Sequence, residues 1–226
     1  MVASLASIEI TWEPLPDDFK LPDDPVDNIN QPLLAAALTD SLAVAGKLSN
    51  ETLTPTNYGI CATLNRQFVA KAPDWAFVPH LKVPKSQVER SYTPRLHGDI
   101  PSIVMEFISA TDGDEYSTKP TYPPGKWFFY EQVLKVPTYV IFNPADGSLE
   151  VYRLNRAGRY RLQSSQPNGY WIEEMQLFLG VWEGSRETRT GYWLRWWDES
   201  GNLLLWAAEL AERERLAKQV AQEQLV

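Results

Sequence analysis

The sequence predicts a mixed α/β or α+β domain built around a β-sheet. Three observations carry that expectation. An amphipathic helical stretch begins at Pro32. Two runs, Ser102–Ser109 and Thr138–Phe142, are apolar on both alternating faces, as strands covered on both sides are. A second helical stretch and further strand-length runs follow in an order that suits a mixed sheet flanked by helices. The 226 residues are 44% apolar, enough for one sizeable core with appendages.

In chain order, residues 1–30 are rich in Pro and Asp and read as an acidic arm, with a short strand at Ser7–Trp12. Leu33, Leu34, Ala37, Leu38, Leu42 and Ala45 then recur at helical spacing, and Gly46 suits a C-terminal cap. Strand candidates are Tyr58–Leu64, Gln67–Ala72, Asp74–Val78 and Ser102–Ser109, with Asn65-Arg66 turning between the first two. Residues 79–100 and 110–124 are long polar connections, of the kind that are functional or mobile. Gly125–Leu134 reads as a short helix and Thr138–Phe142 as a buried strand. Leu149–Arg153 is a strand that Arg159–Gln163 can pair with. Short aromatic-rich pieces follow, ending with Thr190–Asp198. From Asn202 the pattern turns helical and reads as a protruding C-terminal helix. The expected organisation is therefore an arm (1–30), a domain (31–202) and a helix (203–226).

Several classes are excluded. No run reaches the 18 apolar residues of a membrane span, and no basic-then-apolar leader opens the sequence. A single cysteine, Cys61, excludes an internal disulfide and a multi-cysteine zinc site. His80 and His97 are too few for an all-histidine metal site. No phosphate-binding loop, dinucleotide fingerprint or nucleophile elbow is present. A reduced, cytoplasmic protein is the expectation. The net charge of −8 makes the whole chain no magnet for nucleic acid. Seven acids and one lysine lie in residues 1–30, so the remainder is nearly neutral. Within it, Lys82, Lys85, Arg90 and Arg95, and separately Arg153, Arg156, Arg159 and Arg161, form basic stretches. Each is readable as ordinary solvated charge or as a phosphate-backbone contact.

Glu106 stands in the middle of the doubly apolar run Ser102–Ser109. A carboxylate there is costly unless it is paired, hydrogen-bonded or bound to a metal. Asp74 opens the run Trp75–Val78, and if the two strands are neighbours the carboxylates can converge at one sheet end. Two carboxylates plus waters suit Mg²⁺, a hard cation with octahedral oxygen ligation. Such a cation can activate water and stabilise a phosphodiester under attack, and a nearby lysine would complete the set.

The segments Ala72-Pro73-Asp74-Trp75-Ala76-Phe77-Val78 and Asp99–Ser109 resemble the paired motifs of the Uma2 family. These are restriction-endonuclease-like proteins of the PD-(D/E)XK nuclease superfamily. Lys126-Trp127-Phe128-Phe129-Tyr130, Val136-Pro137-Thr138-Tyr139 and Gly147–Tyr152 continue the pattern. The resemblance covers roughly residues 30–200. It implies a restriction-endonuclease-like fold, Asp74 and Glu106 as ligands of Mg²⁺ (or Mn²⁺), and DNA as substrate. The lysine usual two positions after the acid is replaced by Ile108. The family pattern instead points to the following helix and Lys126. Tyr116–Pro124 looks inserted, which makes Lys119 the rival. An additional acid from the first helix, common in the superfamily, has no clear counterpart: Asn30 and Gln31 precede the helix and Asp40 lies within it. Asp112, Asp114 and Glu115 read as loop acids, solvated more readily than metal-bound. Tyr130 shares a helix face with Lys126.

Two functions compete. One is a Mg²⁺-dependent DNA endonuclease with Asp74, Glu106 and Lys126 or Lys119 at its centre. The alternative is an inactive relative of the same fold, working as a binding or assembly module. A homodimer would suit a double-strand cut, and no residue of the sequence demonstrates one.

Overall fold

The computed structural model describes residues 8–16, 19, 29–108 and 114–224. Its strands are β1 (Ile10–Thr11), β2 (Ile60–Leu64), β3 (Gln67–Lys71), β4 (Trp75–Phe77), β5 (Ile103–Phe107), β6 (Thr138–Phe142), β7 (Leu149–Leu154), β8 (Tyr160–Leu162), β9 (Tyr170–Ile172), β10 (Leu177–Arg186) and β11 (Arg189–Trp197). The helices are α1 (Asn30–Val44), α2 (Lys126–Phe128) and α3 (Ala207–Glu223). After α2 the chain continues directly as a π-helix, Phe129–Leu134. The fold is the mixed α+β architecture that the sequence predicts.

The central sheet runs β4-β5-β6-β7-β8. Strands β5 and β6 are parallel, and the other pairs are antiparallel. A parallel pair needs a crossover, and this one carries α2 onto one face of the sheet. Alternation along β5 then sorts the core into two layers. Ile103, Met105 and Phe107 pack with α1, β10 and β11. Val104 packs on the opposite side with β2, β3 and the π-helix residues Phe129, Tyr130, Val133 and Leu134. Both layers are fully buried along β5 and β6, as their doubly apolar sequences require.

Local chemistry explains the supporting elements. Pro32 sits in the first turn of α1, where its missing N–H costs nothing. Gly46 follows the helix with φ +66°. The amides of Gly46 and Lys47 return to the carbonyls of Ala43 and Leu42, so the helix ends in a Schellman cap. Asn65 and Arg66 both adopt positive φ between paired Leu64 and Gln67, the geometry of a tight hairpin turn.

Three expectations change. Residues 79–100 are no free loop: Val88 and Tyr92 are buried, and Tyr92 exchanges backbone bonds with Cys61 and Gly59. Its apolar residues are too sparse to show periodicity, yet they fill the layer under β2. The aromatic pieces after residue 170 are not short. Strands β10 and β11 pair along their whole length, from Phe178 with Trp197 to Arg186 with Arg189. The N-terminal strand is reduced to Ile10–Thr11 on β2. Most of the arm, with Asp17, Asp18, Asp23, Asp24 and Asp27, lies outside the described residues.

The C-terminal helix is anchored only at its start. Trp206 is 2% exposed, donates its indole N–H to Ala37, and meets Trp182 and Trp193 edge-on. The buried Arg195 lies over the Trp206 ring and pairs with Glu209 at 2.6 Å. Residues 211–224 are exposed. Among the described residues no helix is long and apolar enough to cross a membrane. Trp206→Ala is therefore expected to lower unfolding free energy by about 3–5 kcal/mol. Truncation after residue 210 should change it by less than about 1 kcal/mol, since it removes only solvated surface. Urea denaturation of both variants checks this.

Candidate active site

Strand β5 delivers Glu106 to the face that α2 covers. Strand β4 pairs with β5 so that Trp75 faces Met105. One step further along that register, Asp74 stands opposite Glu106, and opposed residues of an antiparallel pair project to the same face. Asp74 is fixed there by the Phe107 amide, which donates to its Oδ2 at 2.6 Å. The indole of Trp75 also donates to Thr39 Oγ1 at 2.9 Å, tying β4 to α1. Asp74 is 7% exposed and Glu106 wholly buried.

Helix α2 and the π-helix that continues it supply the donors. It starts at Gly125, where a Cβ would lie 2.1 Å from the Ser117 carbonyl oxygen, so only glycine lets the two segments meet. Lys126 Nζ donates to Glu106 Oε2 at 3.1 Å, and the Tyr130 hydroxyl donates to Oε1 at 2.9 Å. The two donors are one helical turn apart, as the shared face requires.

Burial dominates the electrostatics. It pushes the Glu106 carboxyl up to about 8; the Lys126 ammonium pulls it back down, and the neighbouring Asp74 charge adds to the rise. Burial also works against the Lys126 ammonium, but Glu106, Asp74 and Glu115 outweigh it and hold its pKa above the ordinary value. Burial and Glu106 keep the Tyr130 phenol protonated.

The structure thus brings together Asp74, Glu106 and Lys126. Lys119 is exposed, and its backbone carbonyl accepts the Gly125 amide; it is not part of the cluster. Among the loop acids, Glu115 is 2% exposed rather than solvated, in the turn Asp114–Tyr116 that packs against α2. Asp114 pairs with Lys71 at 3.0 Å, and Asp112 lies outside the described residues. Asp40 accepts from Arg186 and from the Ala207 amide at the start of α3, and so serves the fold. Asn30 and Gln31, expected before the helix, lie in the first turn of α1, and Gln31 Nε2 donates to the Phe107 carbonyl at 3.1 Å, which brings that turn to the site.

The basic stretches divide. Lys82 and Lys85 are exposed. Arg90 donates to the Pro16 and Phe19 carbonyls, and Arg95 lies over the Trp12 ring, so both engage the N-terminal arm. Arg153 pairs with Glu174 and Arg159 with Glu131, while Arg156 and Arg161 are exposed.

Asp74 and Glu106 are the residues that could hold a cation here; among the described residues no group of three or more His, Cys, Asp or Glu is placed to do so.

A raised carboxyl pKa in the folded protein means the folded state holds its proton more tightly than the unfolded chain. Stability from this group is full below the ordinary carboxyl pKa and falls as pH rises toward about 8. Glu106→Gln cannot ionise. In metal-free buffer its stability relative to wild type should therefore rise between pH 5 and pH 8, as read by urea denaturation.

Family models match residues 30–188, well over half the chain, to Uma2, described as "Putative restriction endonuclease". No curated protein matches the chain.

Proposed function

The chain belongs to the Uma2 family, and from that premise we propose that it is a Mg²⁺-dependent endonuclease hydrolysing DNA phosphodiester bonds. The observation that carries this reading is the meeting of Asp74, Glu106 and Lys126 on one buried face of the sheet. Asp74 and Glu106 would hold the cation, with Mn²⁺ as a substitute. When bound, Mg²⁺ supplies Lewis acidity and a water that ionises more easily.

The remaining work falls to the protein. The backbone amide of Phe107 donates to Asp74 and keeps that carboxylate in place. The Lys126 side chain is 16% exposed, and its ammonium donates to Glu106 Oε2. From there it can orient a water or neutralise charge developing on the phosphate. The exposed Lys82 and Lys85 are the remaining candidates of their stretch for backbone contact, which positions DNA without reading its sequence.

Ile108 stands where the superfamily usually has lysine, which favours the inactive-module alternative. Lys126 reaches the same carboxylate from α2, which weakens that argument. The test is plasmid cleavage with Mg²⁺ or Mn²⁺. Asp74→Asn, Glu106→Gln and Lys126→Met should each lower the rate by about 100-fold or more, while Lys119→Gln should cleave like wild type. Loss in Lys119→Gln with activity kept in Lys126→Met would reverse the lysine assignment. A folded wild type that cuts no DNA under these conditions would favour the binding module.

A further inference from the structure

We propose that Tyr130 is a positioning residue for the metal-binding carboxylate, the fixed neutral partner that sets the plane of Glu106 while Lys126 remains the exchangeable one. The inference rests on the metal-dependent reading above.

The two oxygens of Glu106 are divided between donors of different character. Oε1 accepts from Tyr130 at 2.9 Å and Oε2 from Lys126 at 3.1 Å. The terminal torsion of a glutamate is broad and intrinsically two-fold, so the chain bearing it does not by itself orient the carboxylate. Two donors from one continuous helical segment do. They differ in freedom. Tyr130 is wholly buried, with its ring against Phe129 at 5.9 Å and Tyr139 at 5.3 Å. It has no room to swing away. Lys126 has a long flexible stem and a side chain partly open to solvent.

They differ in charge as well. A cation arriving at Glu106 competes electrostatically with an ammonium and not with a phenol. Tyr130 can therefore keep its bond with a metal present, whereas Lys126 can turn toward a phosphate. The backbone widens into the π-helix at Phe129, beside Tyr130, and such widenings are frequent where a helix serves a site.

The test compares metal-free wild type, Tyr130→Phe and Tyr160→Phe by calorimetric Mn²⁺ titration. Tyr160 is the control: its hydroxyl belongs to the same aromatic group but donates to the Val136 carbonyl. Loss of an outer-shell partner typically weakens metal affinity by about 10- to 100-fold. That loss is expected for Tyr130→Phe alone, and cleavage by that variant should return when Mn²⁺ is raised, a rescue that a merely structural defect would not show. Wild-type affinity in Tyr130→Phe overturns the inference and leaves the nuclease reading standing. A wild type that binds no Mn²⁺ overturns both. Infrared difference spectra of wild type, with and without Mn²⁺, supply a check that needs no variant. The phenol band should stay in place on loading, and a phenol band that shifts counts against a fixed holder.

Discussion

Everything near the candidate site follows from one constraint, a carboxylate with no exposed surface of its own. Glu106 lies mid-face in a sheet buried on both sides. Desolvating a charged carboxylate is costly, and the fold meets that cost only by bringing donors to it. Lys126 and Tyr130 come from the crossover that the parallel pair β5–β6 requires anyway. Gly125 allows that crossover to start close against Ser117. Asp74 is held by a backbone amide one residue from Glu106. Remove the buried acid and none of these details would have a polar reason to exist.

A second polar centre, remote in sequence and distinct in purpose, makes the comparison useful. Asp40, Arg186, Arg195 and Glu209 meet around Trp206. Each charge there has an opposite charge, an aromatic face or a backbone group as partner, and the result is the anchorage of α3. At the candidate site the balance is different. Glu106 accepts from Lys126 and also stands opposite a second carboxylate, Asp74, because the β4–β5 register sets them so. Under the proposed function a divalent cation would relieve the repulsion between them once both are ionised.

The core strands and the clustering of Asp74, Glu106 and Lys126 are legible in the sequence because their signals are local. A charged residue inside a doubly apolar run, an acid opening a strand, and a lysine and tyrosine one helical turn apart are all patterns within a few positions. What was hidden depends on long-range packing. Glu115 reads as a polar loop residue, and only the docking of its turn on α2 buries it. Gln31 acts through a carbonyl 76 positions away. Arg90 and Arg95 looked like cations facing solvent or a ligand, because the arm that they hold contributes carbonyls and one indole, groups that no charge pattern displays. The full-length β10–β11 hairpin was obscured for another reason. Gly180, paired with Arg195, leaves room for the ring of the diagonal Trp197, a fit that propensity does not encode.

The same partnering bears on how an acidic chain would handle a polyanion under the proposed function. Of the eight basic residues singled out in the sequence, Arg90 and Arg95 hold the arm, and Arg153 and Arg159 are tied to internal glutamates. Half of these charges are therefore engaged within the fold, while Lys82, Lys85, Arg156 and Arg161 are exposed; for a net charge of −8, long-range attraction to DNA is weak. Neutralisation of a phosphate would have to be local, by a divalent cation on Asp74 and Glu106 and by the ammonium of Lys126. Local neutralisation is less sensitive to screening than a diffuse basic surface, because partly buried charges are screened far less than exposed ones. On this reading the cation at the carboxylate pair does two jobs, supporting the chemistry and offsetting the repulsion that the rest of the chain exerts on its substrate.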